Sequence, residues 1–248
     1  MGETKIGAPK EDWLSFIDLL ECGKEMIKNV DMNVTKDMIK VSEWAKDNTA
    51  KIDIEWKPKN ITIGDFVKIT IDPNKILRAL GTLADVGMIT GKFDDKIAEF
   101  DDSRRYIKFQ LPEASSQKEA KTMKFEKFLL TFDIDADVVS QIMSKAIQAM
   151  ELTEAVFTIT YKDGIVDMKV GDFTREGQEM VFPLTSSLAG ATTDESEFTS
   201  SFNIMLQNIM KVGGKLTASI GKNYPIRLGV EKKGIKAMYI IAPAMVKK

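Results

Sequence analysis

Apolar positions recur along this chain in two rhythms. From Pro9 and Lys10 to about Cys22 they fall three and four apart, at Trp13, Phe16, Ile17 and Leu20. That spacing predicts a helix with one buried stripe and a stop at Gly23. Alternation follows at 30–34, 38–44, 50–56 and 66–71, predicting strands separated by polar turns. Asp72-Pro73 then supplies an N-cap and a proline at the first helical position. The helix it opens, 74 to about 84, buries Ile76, Leu77, Leu80 and Leu83. Strands are predicted around 88–92, 97–100 and 106–111.

From Pro112 to Lys121 the chain is polar and lacks aromatic or β-branched residues, so 112–123 reads as a linker. Beyond it the same order of rhythms returns. A helix is predicted over 137–150, carrying Val138, Val139, Ile142, Met143, Ala146 and Ile147. Strands at 155–160, 164–170 and 179–184 follow, then a small polar loop at 188–196. A strand at 198–202 leads into a short helix, 203–211, ended by Gly213-Gly214. Strands at 216–220, 226–231 and 237–241 finish the chain.

The return is a repeat. Lys36-Asp37-Met38-Ile39 recurs 126 residues on as Lys162-Asp163-Gly164-Ile165. The same offset carries Trp13, Phe16, Ile17 and Leu20 onto Val139, Ile142, Met143 and Ala146, and Ile54 and Trp56 onto Met180 and Phe182. Three features at one spacing predict two copies of one supersecondary unit. The expectation is an α+β chain of two tandem, similar domains, 1–111 and 124–248. Each has two helices packed on antiparallel sheet.

Composition narrows what such a chain does. Its 248 residues suit two domains, and 44% hydrophobic with 29% charged residues describes a folded, water-soluble protein. A net charge of −2 leaves room for local basic patches, because fields follow patches rather than totals. The single cysteine, Cys22, excludes an intrachain disulfide and fits a reducing compartment. No apolar run approaches the ~18 residues of a membrane span, and the N-terminus has neither a signal-peptide core nor a myristoylation motif. An intracellular location is expected. With no histidine there is no His-based triad or proton shuttle, and one cysteine excludes a Cys-rich zinc site. No glycine-rich phosphate loop occurs. The pairs Asp94-Asp95 and Asp101-Asp102 have the chemistry for Mg²⁺ but sit in polar turns. No catalytic residue, metal or cofactor is expected.

Four segments together resemble one family. They are Lys75-Ile76-Leu77-Arg78 on its helix, Ala155–Ile159 through Tyr161-Lys162-Asp163-Gly164-Ile165-Val166, the segment 198–211, and Tyr224-Pro225-Ile226 through Tyr239-Ile240-Ile241-Ala242-Pro243. In order and spacing the chain is similar to the archaeal and eukaryotic DNA sliding clamps, the proliferating cell nuclear antigen family. The resemblance implies a non-enzymatic processivity factor for DNA replication and repair. Three two-domain subunits would form a ring around duplex DNA, with twelve helices lining the hole. It would tether DNA polymerase, clamp loader, ligase and nucleases through short hydrophobic peptides. Its location would be the cytoplasm in a cell without a nucleus, or the nucleus in a eukaryote.

The resemblance also assigns residues. Lys75, Arg78, Lys145 and Lys211 face DNA phosphates, with Lys10 at the rim. The partner-peptide pocket is walled by Thr49, Ala50, Met123, Phe125, Phe128, Pro225, Ile241, Ala242 and Pro243. Subunits join through Arg104, Arg105, Tyr106, Ile107 and Phe109 on one edge and Gln178, Glu179, Met180, Val181 and Phe182 on the other. One departure stands out: the first helix carries Glu11, Asp12, Asp18 and Glu21 where clamps present basic residues. That departure favours an alternative, one subunit of a heterotrimeric or checkpoint-type ring with more basic partners. From a different class, a Mg²⁺-dependent phosphoryl-transfer enzyme would use the aspartate pairs.

Overall fold

The two halves fold alike, and the likeness extends to strand pairing. The computed structural model describes residues 2–23, 29–45, 49–65, 67–85, 87–113, 130–172, 178–184, 197–222 and 224–244. The chain divides into two compact units, one of Met1–Lys46, Lys51–Lys121 and Glu231–Ala237, the other of Asp47–Ala50, Thr122–Val230 and Met238–Lys248. Most of the expected linker, from residue 114 on, lies outside the described residues.

In the first half β1 (Thr4–Pro9) runs straight into α1 (Lys10–Glu21), followed by β2 (Val30–Val34), β3 (Ile39–Trp44), β4 (Ala50–Trp56), β5 (Asn60–Thr62) and β6 (Lys68–Ile71). Then come α2 (Pro73–Thr82), β7 (Met88–Phe93), β8 (Ile97–Asp101) and β9 (Tyr106–Gln110). The second half opens with β10 (Leu130–Asp135), α3 (Ala136–Met150), β11 (Ala155–Lys162), β12 (Ile165–Asp172) and β13 (Glu179–Pro183). It continues with β14 (Glu197–Phe202), α4 (Met205–Met210), β15 (Lys215–Ile220), β16 (Ile226–Lys232) and β17 (Ile235–Ile241).

Apart from β5, the order repeats element for element. Strands paired as β1-β7-β8-β9 correspond to β10-β15-β16-β17, and β4-β3-β2-β6 to β13-β12-β11-β14. Register is kept as well: Lys5 pairs with Lys92, and Thr131 with Ser219, at nearly the same offset. In each unit the two helices pack together, α1 on α2 and α3 on α4.

Local chemistry sets the helix starts. Asp72 accepts the Asn74 N–H at 3.0 Å with Pro73 behind it, and Asp135 accepts the Val138 N–H at 3.2 Å. Both satisfy a donor that the first helical turn leaves unpaired. α1 starts differently, on Pro9, whose side chain caps nothing.

The cores diverge where the topology does not. The first unit is built on aromatics: Trp13 meets Trp56 and Phe100 edge-on at 4.8 and 5.1 Å, and Phe16 stacks on Trp56 at 4.7 Å. Trp13 Nε1 donates to the Ile89 carbonyl at 3.3 Å. Gly91 makes room for this indole, since a Cβ there would lie 3.1 Å from Trp13 and 2.9 Å from Phe93. In the second unit the equivalent stripe is Val139, Met143 and Ala146, buried with Phe132, Phe157 and Leu206.

Four expectations need correction. Val138 is 52% exposed rather than core, because it lies on the solvent side of α3, one residue before the buried Val139. The strand expected from Phe66 starts at Lys68, with Phe66 itself outside the described residues. The short last helix spans only Met205–Met210. β1, β5 and β10 were not expected at all.

Candidate functional site

The repeated tetrapeptide falls in equivalent turns of different build. Between β2 and β3 four residues intervene, closed by Thr35, whose N–H and hydroxyl both donate to the Met38 carbonyl at 2.9 Å. Between β11 and β12 only Asp163 and Gly164 intervene, both with positive φ, as a type I′ hairpin requires. The turn of β16 and β17 repeats that second solution with Lys233 (φ 53°) and Gly234.

Of the five candidate phosphate contacts, four are on exposed surface. Lys75 and Arg78 project from α2, opposite the buried Ile76 and Leu80, with no acidic residue on that helix. Lys75 Nζ donates to the Gln110 carbonyl at 3.2 Å, leaving further donors open to solvent. Lys145 is exposed on α3 beside Gln141, Ser144 and Gln148. Lys211 ends α4, held to Asn208 Oδ1 at 2.9 Å.

Lys10, expected at a rim, is different in its setting. It is only 7% exposed, and its ammonium donates to the Leu83 carbonyl at 3.1 Å and to Asp85 at 3.2 Å. A cation just beyond the C-terminal end of α2 complements that helix's dipole. Lys10 joins the start of α1 to the end of α2.

The acidic face of α1 is partly neutralised from a distance. Lys233 Nζ lies 2.6 Å from Glu11, and Lys232 Nζ lies 3.4 Å from Asp18. The hydrogen bond to Glu11 raises the Lys233 pKa. These two lysines were not among the expected residues. Glu231-Lys232-Lys233-Gly234 is visible as a turn between alternating strands, but nothing local marks its partners, more than 200 residues away.

Two strands offer open edges. β9 ends one sheet and β13 ends another, among the described residues. On β9, Tyr106 is 67% exposed, with Arg104 and Arg105 exposed before it, while Ile107 and Phe109 turn inward and Phe109 stacks on Phe100. On β13, Val181 is 57% exposed, with Gln178, Glu179 and Met180 also exposed. Phe182 is buried.

Of the residues expected to wall a partner-peptide pocket, Thr49 and Ala242 are hydrogen-bonded to each other. The Ala242 N–H donates to the Thr49 carbonyl at 2.7 Å, and the Ala244 N–H to the Ser201 carbonyl at 2.7 Å. Ala50 and Ile241 are buried, whereas Thr49, Pro225, Ala242 and Pro243 are half-buried. Met123, Phe125 and Phe128 lie outside the described residues.

The aspartate pairs hold turns. Asp94 accepts the N–H groups of Lys96 and Ile97, and Asp101 accepts the Ser103 N–H and the Lys92 ammonium. Asp102 accepts the N–H groups of Ala84, Arg104 and Arg105 at 2.8, 3.0 and 2.8 Å, tying the end of α2 to the start of β9. Those donors, Ala84 first, lower its pKa from 3.8 to about 2. Its contribution to stability is therefore complete above the unfolded value of 3.8 and is lost as pH falls through about 2. Asp102→Asn is expected to lower the melting temperature at pH 7, with the gap to wild type closing as acid melts are taken toward pH 2. A gap independent of pH would show that the carboxylate charge is not what holds the turn.

Comparison with solved structures meets this geometry over nearly the whole chain. PCNA of A. fulgidus, solved with the C-terminal region of FEN-1 bound, matches with a TM-score of 0.78 at 16% identity, covering 99% of this chain and 100% of that one. Proliferating Cellular Nuclear Antigen from Entamoeba histolytica matches at 0.77 and 13% identity, over 97% and 99%. The PCNA2-PCNA3 complex from Sulfolobus tokodaii matches at 0.74 and 14%, over 96% and 98%. The fold is that of the PCNA clamps. No family model and no curated protein matches the sequence. At 13–16% identity the likeness is one of fold rather than of shared residues. Among its described residues, no helix of this clamp fold is long and apolar enough to cross a membrane.

Proposed function

We propose that this chain is a subunit of a DNA sliding clamp, a scaffold that encircles duplex DNA without chemistry of its own and holds replication and repair enzymes to it. The observation that carries the reading is the doubled unit: one topology, built twice, matching PCNA structures from end to end. Its domains are 1–111 and 124–248, joined by 112–123. Its subunits meet in threes through the β9 and β13 edges, where Tyr106, Met180 and Val181 are exposed. Unpaired strand edges pair with other chains, and Arg104 and Arg105 opposite Glu179 set which edge meets which. Lys75, Arg78, Lys145 and Lys211 touch phosphates without reading sequence, which suits a ring retained by topology. Partner peptides, from a polymerase, loader, ligase or nuclease, dock an aromatic anchor against Thr49, Ala50, Pro225 and Ile241-Ala242-Pro243, with Met123, Phe125 and Phe128 completing the wall. It works wherever the genome lies, in the cytoplasm or, in a eukaryote, the nucleus.

Light scattering on the purified chain tests the assembly: a mass of three times 27.7 kDa is expected. Lys75→Glu with Arg78→Glu is then expected to leave that mass unchanged while weakening binding to duplex DNA about 100-fold at low salt. Unchanged DNA binding would remove α2 from the DNA path. A second reading is favoured by the acidic face of α1: one subunit of a ring completed by more basic paralogues. A monomer or dimer mass supports it, with a trimer forming only when such partners are added.

A further inference from the structure

The β16–β17 turn lays two lysines along the acidic face of α1. Glu11 and Asp18 are seven residues apart, two helical turns on one face of α1. Lys233 takes the first and Lys232 the second, so the turn follows the helix axis. All four side chains are roughly half exposed, and such pairs hold little against water. An ammonium carries three donors, and each lysine uses one on its carboxylate. The type I′ turn fixes the backbone beneath Lys233. Beside this surface lies α2, packed on α1 and carrying Lys75 and Arg78. A duplex drawn to α2 therefore meets α1, whose own charged side chains, Lys10 being buried, repel phosphate at contact distance.

We infer that Lys232 and Lys233 are DNA-binding residues that each bridge an α1 carboxylate to a backbone phosphate, making the acidic helix passable to duplex DNA. The inference rests on the sliding-clamp reading and adds to it a contact made by a hairpin turn rather than by a helix. Bridging makes a specific demand: lysine and carboxylate must be coupled. With the lysines removed, Glu11 and Asp18 stand bare against phosphate. With the carboxylates neutralised, the same removal forfeits only two ordinary phosphate contacts.

The test is equilibrium binding of the full-length protein, in the assembly it forms, to a short duplex of arbitrary sequence across a salt series. Lys232→Ala with Lys233→Ala is expected to weaken binding about tenfold and to lower the slope against log salt by about 2. In a Glu11→Gln, Asp18→Asn background the same pair is expected to cost only about threefold, the difference being the coupling. An equal loss in both backgrounds, or none in either, overturns the bridge; the clamp reading survives that result if Lys75→Glu with Arg78→Glu still weakens binding about 100-fold. No salt-dependent binding by the wild-type assembly overturns both.

Discussion

Trp13→Ala is expected to destabilise the first unit by about 3–5 kcal/mol, a large share of the stability of any domain. The indole is fully buried, contacts Trp56 and Phe100, and donates to the Ile89 carbonyl. Its loss leaves a cavity and an acceptor without its donor. Hydrogen exchange followed by mass spectrometry checks this locally. Amides of β1, β7 and β8 are expected to lose most of their protection while those of β11 and β12 keep theirs. The equivalent truncation, Val139→Ala, removes two methyl groups and is expected to cost about 1–2 kcal/mol. Equal costs at the two sites would contradict an aromatic helix stripe in one copy and an aliphatic helix stripe in the other.

Val181→Asp is expected to abolish self-assembly. Val181 is 57% exposed on β13, so a carboxylate there is hydrated in the isolated chain and leaves its fold intact. In the proposed joint the same carboxylate is enclosed by a neighbour's strand, and an uncompensated buried charge costs several kcal/mol. Light scattering is expected to show one chain mass, with a melting curve for the isolated chain close to wild type at matched monomer state. An assembly of unchanged mass would take β13 out of the joint. A lost assembly accompanied by unfolding would show instead that the strand is part of the core.

Much of this fold was legible because its signals are local. Asp72-Pro73 marks the start of α2 by capping chemistry alone, and Asp163-Gly164 marks a hairpin by the φ values its residues tolerate. The repeat showed through the stripes of α1 and α3, which begin at the same offset, although Trp13 became Val139. β1 was hidden for a physical reason. Its Gly7, Ala8 and Pro9 have low strand propensity, and burial of Thr4, Ile6, Gly7 and Ala8 erases the alternation. β5 is three residues long and half exposed, a strand only because β1 offers it an edge. β10 alternates at only three buried positions, Leu130, Phe132 and Ile134, too short a signal to announce a strand directly before α3.

The candidate sites were less legible, because charge has no periodicity to betray its partners. Lys10 looks like any surface lysine in sequence; only the fold brings Leu83 and Asp85 to it. Lys75 and Arg78 were accessible to reasoning because they share a helix with the residues they oppose. Lys232 and Lys233 were not, since Glu11 and Asp18 reach them through tertiary structure alone.

The backbone at Lys233 carries a further consequence. A left-handed φ suits asparagine, aspartate or glycine, and the matching turn of β11 and β12 has aspartate there. A lysine in that conformation is a local sacrifice of turn stability. Sequences selected for thermal tolerance alone would drift to asparagine at 233, whereas sequences selected for grip on DNA would hold the cation. Under the proposed bridge, the position thus separates two selective pressures that most surface residues leave blended.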